Sequence, residues 1–164
     1  MKILLIAVGK TDKKLISQLI DEYIKRIKFY IPIELKALPD VKKSKNLSEK
    51  EQKILEGHSI KKCLQPSDYI VLLDDKGKQL TSKDFAKYIE NKTTSVSKRL
   101  VFLIGGPYGF SEEIVAVSNE KLSLSKMTLI KITNYREDSN GIICIKKKNR
   151  SPSFPFCVIK NLVV

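Results

Sequence analysis

The chain has 164 residues, 42% of them hydrophobic, and carries a formal net charge of +13. That length suits one domain with a real core, and that composition excludes a disordered or collagen-like chain. No apolar run approaches the roughly 20 residues that a transmembrane helix needs.

The first element is predicted at Ile3–Val8, inside "MKILLIAVGK". Six consecutive apolar residues suit a central strand covered on both faces. They are too few for the core of a signal peptide, so a cytoplasmic protein is expected. Residues 12 to 28 change period. Leu15, Leu19, Tyr23 and Ile27 recur every fourth residue, beside Ile16, Ile20 and Ile24. This spacing predicts an amphipathic helix. A short strand follows at Ile33–Leu38, then a polar linker, "DVKKSKN". Ser48 and Glu51 form a capping box that opens a second helix, reaching to about Leu64 before Pro66 and Ser67. Tyr69–Leu73 reads as a buried strand ended by a turn at Asp75-Lys76-Gly77. Ser82 is placed to cap a third helix with Phe85, Tyr88 and Ile89 inward. Leu100–Ile104 is a fourth strand running into Gly105-Gly106-Pro107-Tyr108-Gly109-Phe110. Ser111, with Glu112 and Glu113 behind it, starts a fourth helix. Helices that alternate with short apolar strands predict an α/β domain with a mostly parallel sheet. Ligands in such sheets sit at the carboxyl ends of strands, so the loops after Leu73, after Ile104 and around 122–129 matter most.

The positive charge points to a polyanionic partner, RNA or DNA, with a generally Lys-rich proteome as the plainer explanation. Residues 130–164 hold seven Lys/Arg and two Asp/Glu and so supply +5 of it; residues 1–129 keep +8. Cys63, Cys144 and Cys157 are odd in number and lack metal-ligand spacing, as expected of buried or idle thiols.

Three stretches could carry chemistry. "LIGGPYGF" has paired glycines after a strand and a helix start beyond, so it is either a cofactor cradle or a tight turn. It is neither a G-x-G-x-x-G nor a Walker motif. "LSLSKMTL" alternates like an edge strand. Asp74 and Asp75 are neighbours that point to opposite faces of a strand, which favours a solvated turn over a metal or acid/base pair. His58 is the only histidine. It reads as a partly exposed helix residue, which leaves no obvious general base.

Taken in order, "MKILLIAVGK", "DEYIKRI", "VLLDDKGKQLTSKDFA", "VFLIGGPYGF" and "LSLSKMTL" resemble the RlmH family of large-subunit rRNA pseudouridine methyltransferases, within the SPOUT methyltransferases. The resemblance spans residues 1–129. It implies a SPOUT-type α/β fold, with a mostly parallel sheet flanked by helices and a C-terminal trefoil knot. It implies a homodimer that binds bent S-adenosylmethionine in the knot and needs no metal. The implied reaction is methylation of N3 of a pseudouridine in 23S rRNA of the assembled ribosome. Carried over by motif, Leu73 and Gly105 would touch the cofactor. Leu124, Ser125, Lys126, Met127, Thr128 and Leu129 would form the loop around its adenosyl group.

After Leu129 the resemblance stops. The family continues with His-Gln, an Arg-bearing helix, Glu-Gln-x-Tyr-Arg-Ala and a final Tyr-His. Here the chain reads "IKITNYREDSNGIICIKKKNRSPSFPF". One domain over 1–164 is expected, family-like to 129 and atypical in 130–164. A reading-frame slip near codon 129, a diverged tail and a degraded copy would each produce this break. In the family the C-terminal segment walls the cofactor pocket, so weak or absent S-adenosylmethionine binding is expected of the chain as written. Besides an rRNA methyltransferase, two readings stand: a non-catalytic RNA- or ribosome-binding protein that has lost the pocket, and a generic nucleotide-binding α/β enzyme.

Overall fold

A computed structural model describes residues 1–9, 14–39, 47–96 and 98–124. In chain order the elements are β1 (Lys2–Val8), α1 (Lys14–Lys28), β2 (Ile33–Leu38), α2 (Glu49–Lys61), β3 (Asp68–Gln79), α3 (Ser82–Ser95), β4 (Arg99–Ile104), α4 (Glu112–Val117) and β5 (Glu120–Ser123). The five strands form one sheet in the order β2-β1-β4-β3-β5, and every pairing is parallel. This is the α/β sheet that the alternating elements predict. The expected knot falls beyond the described residues.

The continuous apolar runs follow from cover on both faces. Ile3 and Leu5 of β1, Val71 of β3 and Leu100 and Phe102 of β4 pack with Ile24 and Ile27 of α1 and Phe85 and Ile89 of α3. The alternate residues Leu4, Ile6 and Val8, Ile70 and Leu72, and Val101 and Leu103 pack with Ile60 of α2 and Ile114 of α4. Successive side chains on a strand point to opposite faces, so two cores form from three apolar strands.

Several local expectations are refined. The Ser48 capping box is present: Ser48 Oγ accepts from the Glu51 amide, and the Glu51 carboxylate accepts from the Ser48 amide. Thr81, not Ser82, caps α3, with Thr81 Oγ1 accepting from the Asp84 amide at 3.1 Å. Thr81 puts Phe85 and Ile89 on the buried side of the helix. On α1 the core-facing stripe is Ile20, Ile24 and Ile27, while Leu19 is exposed. The third strand does not end at Asp75-Lys76-Gly77 but continues to Gln79. Leu122 of β5 is opposite both Leu73 and Lys78, so residues 74–77 form an excursion between two stretches of pairing. Asp74 Oδ1 accepts from the Lys76 amide at 2.9 Å within it. The local turn signal is real, and the pairing resumes after it.

Candidate functional site at the carboxyl edge of the sheet

The register gathers the predicted residues at one edge. Leu73 aligns with Ile104 on β4 and with Leu122 on β5. Gly105 is therefore one residue past the row, and Leu124 two residues past it. All three are partly exposed. Ser125, Lys126, Met127, Thr128 and Leu129 lie outside the described residues.

The loop after β4 forms the tight turn that its glycines permit. Gly106 to Gly109 is a tight turn, closed by the Gly109 amide donating to Gly106 O at 3.0 Å. Gly109 has φ +82°, a left-handed conformation that glycine adopts without strain. Gly105 stands outside the turn, and a Cβ there would lie 3.2 Å from Phe110 Cζ and 3.3 Å from Gly109 O. The space that a side chain would take at Gly105 is thus filled by Phe110 and Gly109. Ser111 caps α4 as expected, its Oγ accepting from the Ile114 amide at 3.4 Å.

Asp74 and Asp75 sit on the excursion of β3, Asp74 partly buried and Asp75 exposed. His58 is exposed on α2. Among the described residues no group of three His, Cys, Asp or Glu could hold a metal ion. Also among them, no helix is long and apolar enough to cross a membrane. Cys63 is a partly buried free thiol whose Sγ lies 3.5 Å from Ser59 O.

Two features escape sequence reasoning. One is Glu56 on α2, only 4% exposed, whose carboxylate lies over the α-carbon of Gly106. Its one available signal is Gly57 in the middle of a helix, where glycine is unfavourable unless something packs closely. The other is a cluster that pins the start of β5. Lys92 Nζ donates to Glu120 Oε1 at 2.7 Å and to Tyr69 Oη at 2.8 Å, and Tyr69 Oη donates to Glu120. The Lys92 ammonium also sits 3.9 Å from the centre of the Tyr69 ring. Beside it, Asn119 and Ile70 exchange two bonds: the Ile70 amide donates to Asn119 Oδ1 at 2.7 Å, and the Asn119 amide to Ile70 O at 2.8 Å. These residues stand far apart in sequence, so no local pattern marks them. Together they fix the start of β5.

Charge in this cluster is balanced by contact. Burial pushes the Glu120 carboxyl up, but bonds from Lys92 and Tyr69 and the Lys92 charge outweigh it, and the carboxyl ends below its ordinary value. Burial likewise opposes the Lys92 charge, yet Glu120 and Tyr69 hold it above its ordinary value. Burial, then the Glu120 carboxylate, push the Tyr88 hydroxyl well up, so it stays protonated. A carboxyl with a lowered folded pKa stabilises the fold above its unfolded value, and that stability is lost as pH falls. Glu120→Gln is therefore expected to cost about 1 kcal/mol at neutral pH. It should also flatten the loss of stability below about pH 4.5. Thermal midpoints of both proteins across pH 3 to 7 check this; parallel curves would contradict it.

The opposite, amino edge has a shallow open cleft between Lys2, Lys28, Pro32, Ile33 and Glu34. It is remote from the row of Leu73, Gly105 and Leu124, and the exposed Lys2–Glu34 ion pair lines it.

Comparison with known proteins agrees with this geometry. The family described as "Predicted SPOUT methyltransferase" matches residues 1–131. The protein named "Ribosomal RNA large subunit methyltransferase H" from Parabacteroides distasonis is 56% identical over 128 residues, covering 78% of this chain and 82% of the relative. Proteins of the same name from Christiangramia forsetii and Flavobacterium johnsoniae are each 50% identical over 128 residues, with the same coverage. Apolar strands read as buried, a glycine loop after β4 and an edge strand at Leu122 all fall within the matched span. The chain belongs to the SPOUT methyltransferases, in the RlmH family.

Proposed function

We propose that this chain, as a cytoplasmic homodimer folded as one domain, methylates N3 of a pseudouridine in 23S rRNA of the large ribosomal subunit, with S-adenosylmethionine as donor. The observation that carries this reading is the row formed by Leu73, Ile104–Gly105 and Leu122–Leu124 at the carboxyl edge. The names of the relatives support the rRNA substrate.

The described residues fit the cofactor. A neutral adenine is well held by backbone N–H and C=O groups in an apolar slot, and the strand ends bring together Leu73, Leu124 and the main chain at Gly105. Leu73, Gly105 and Leu124 would hold it, with Ser125, Lys126, Met127, Thr128 and Leu129 around the adenosyl group. When bound, S-adenosylmethionine supplies a methyl already activated by its sulfonium. The protein's task is then to bring acceptor and donor into line and to keep water out. N3 of pseudouridine is a weakly acidic imide nitrogen, so transfer to it needs little help from a general base. The basic surface would hold rRNA phosphates.

The break after Leu129 favours a second reading, since the family match ends at residue 131 of 164. In that reading the chain binds RNA or the ribosome without catalysis. Calorimetric titration with S-adenosylmethionine separates the two. We expect weak binding by the chain as written. We expect a tight, stoichiometric isotherm when residues 132–164 are replaced by the C-terminal segment of the P. distasonis relative. A tight isotherm without the replacement would remove any defect from the tail. No binding in either protein would overturn the cofactor site itself.

A further inference from the structure

We propose that Glu56 is a positioning residue that holds the glycine loop after β4 in its receiving shape. The carboxylate is 4% exposed. Its Oε1 accepts from Gln52 Nε2 at 2.8 Å, one turn earlier on α2. That bond leaves the group facing the loop. A Cβ on Gly106 would lie 2.4 Å from Glu56 Oε2 and 2.7 Å from Oε1, so only glycine allows this approach. The next residue, Gly57, makes the matching contact at the other end of the loop. A Cβ there would lie 2.5 Å from Oγ of Ser111, the cap of α4. Adjacent residues of one helix thus grip Gly106 and Ser111, and the segment between them is held at both ends.

A carboxylate is a costly way to fill buried space, because an apolar side chain would do it without desolvation. This one packs directly on the α-carbon of Gly106, so the loop cannot shift toward α2 without displacing it. A loop held before the ligand arrives loses less freedom on binding. The purpose of the grip rests on the reading that the carboxyl edge receives S-adenosylmethionine; the grip itself does not.

The test is hydrogen–deuterium exchange of the full chain with mass spectrometry. Glu56→Ala is expected to raise exchange across residues 105–114 at least tenfold and leave β1 and β2 unchanged. Glu56→Gln keeps the volume and one acceptor, and should return exchange to within about threefold of the unaltered chain. Titration with S-adenosylmethionine into the millimolar range should show a dissociation constant raised at least tenfold in Glu56→Ala and less than threefold in Glu56→Gln. Equal loosening of the whole chain, or no change at 105–114, would overturn the proposal. Localised loosening in a chain that takes up no S-adenosylmethionine upholds the grip and counts against the cofactor reading instead.

Discussion

Replacing Arg99 with Met is expected to cost about 3 kcal/mol of folding stability. Arg99 and Asp68 face each other in register at the start of β4 and β3. Arg99 Nε donates to Asp68 Oδ1 at 2.7 Å and Nη2 to Oδ2 at 2.5 Å, a two-pronged pairing. Nη2 also donates to Cys63 O at 3.2 Å, tying in the turn after α2. The Asp68 side chain is fully buried, while that of Arg99 keeps 21% exposure. Removing the guanidinium strands the carboxylate. The cost lies at the lower end for buried pairs because water reaches the arginine side. Asp68 Oδ2 still accepts from the Gln65 amide at 2.7 Å, so part of its solvation survives. Urea unfolding of Arg99→Met measures the loss. Adding Asp68→Asn removes the stranded charge and should recover at least half of it. A single variant as stable as the parent would contradict the pairing's role.

Gly77→Ala is expected to be nearly as damaging, at about 3 kcal/mol, the upper range for forced overpacking. The new Cβ would lie 2.5 Å from the carbonyl carbon of Leu122, 2.7 Å from its nitrogen and 2.8 Å from its Cα. These are backbone atoms and cannot swing aside. β5 must move off β3 at the end of the excursion, next to Leu73 and Leu124. Gly105→Ala is the useful contrast. Its Cβ meets the far end of the Phe110 ring at 3.2 Å and the Gly109 carbonyl at 3.3 Å, contacts that a shift of a few tenths of an ångström relieves. We expect less than about 1 kcal/mol there. Denaturation midpoints of the two variants, with exchange rates at Leu122–Leu124, check the ordering; equal effects would contradict it.

The contrast between these glycines shows which features the sequence could reveal. β1 and β4 are legible because both faces are covered, so no polar residue interrupts the run. The Ser48 cap is legible because its partner is three residues away. Leu73, Gly105 and Leu124 are singled out by a family resemblance alone, and the parallel register is what brings residues so far apart to one edge. Other features depend on partners that periodicity does not identify. Gly77 looks like a turn residue, but it lies within β3, and its need for glycine comes from Leu122 across the sheet. Leu19 fits a helical stripe equally well on either side of Tyr23, and the packing of Ile20, Ile24 and Ile27 decides against it. Glu56 is one of several carboxylates on α2, and only the fold buries it. Tyr69, Lys92 and Glu120 meet because β3 and β5 begin where α3 ends.

Ion pairs elsewhere add little. Lys61 and Glu113 join α2 to α4, but their side chains are 47% and 48% exposed, where such pairs contribute at most about 1 kcal/mol. The polar contacts that matter here are the buried ones, at Asp68–Arg99 and around Glu120.

The most direct test of the proposed reaction is methyl transfer. Large ribosomal subunits lacking the N3 modification would be incubated with the chain and S-adenosylmethionine at millimolar concentration, and rRNA nucleosides read by mass spectrometry. We predict one methyl on N3 of one pseudouridine, in higher yield when the C-terminal segment comes from the P. distasonis relative. No methyl with either protein, alongside salt-dependent rRNA binding, would contradict it and leave a protein that binds RNA without modifying it.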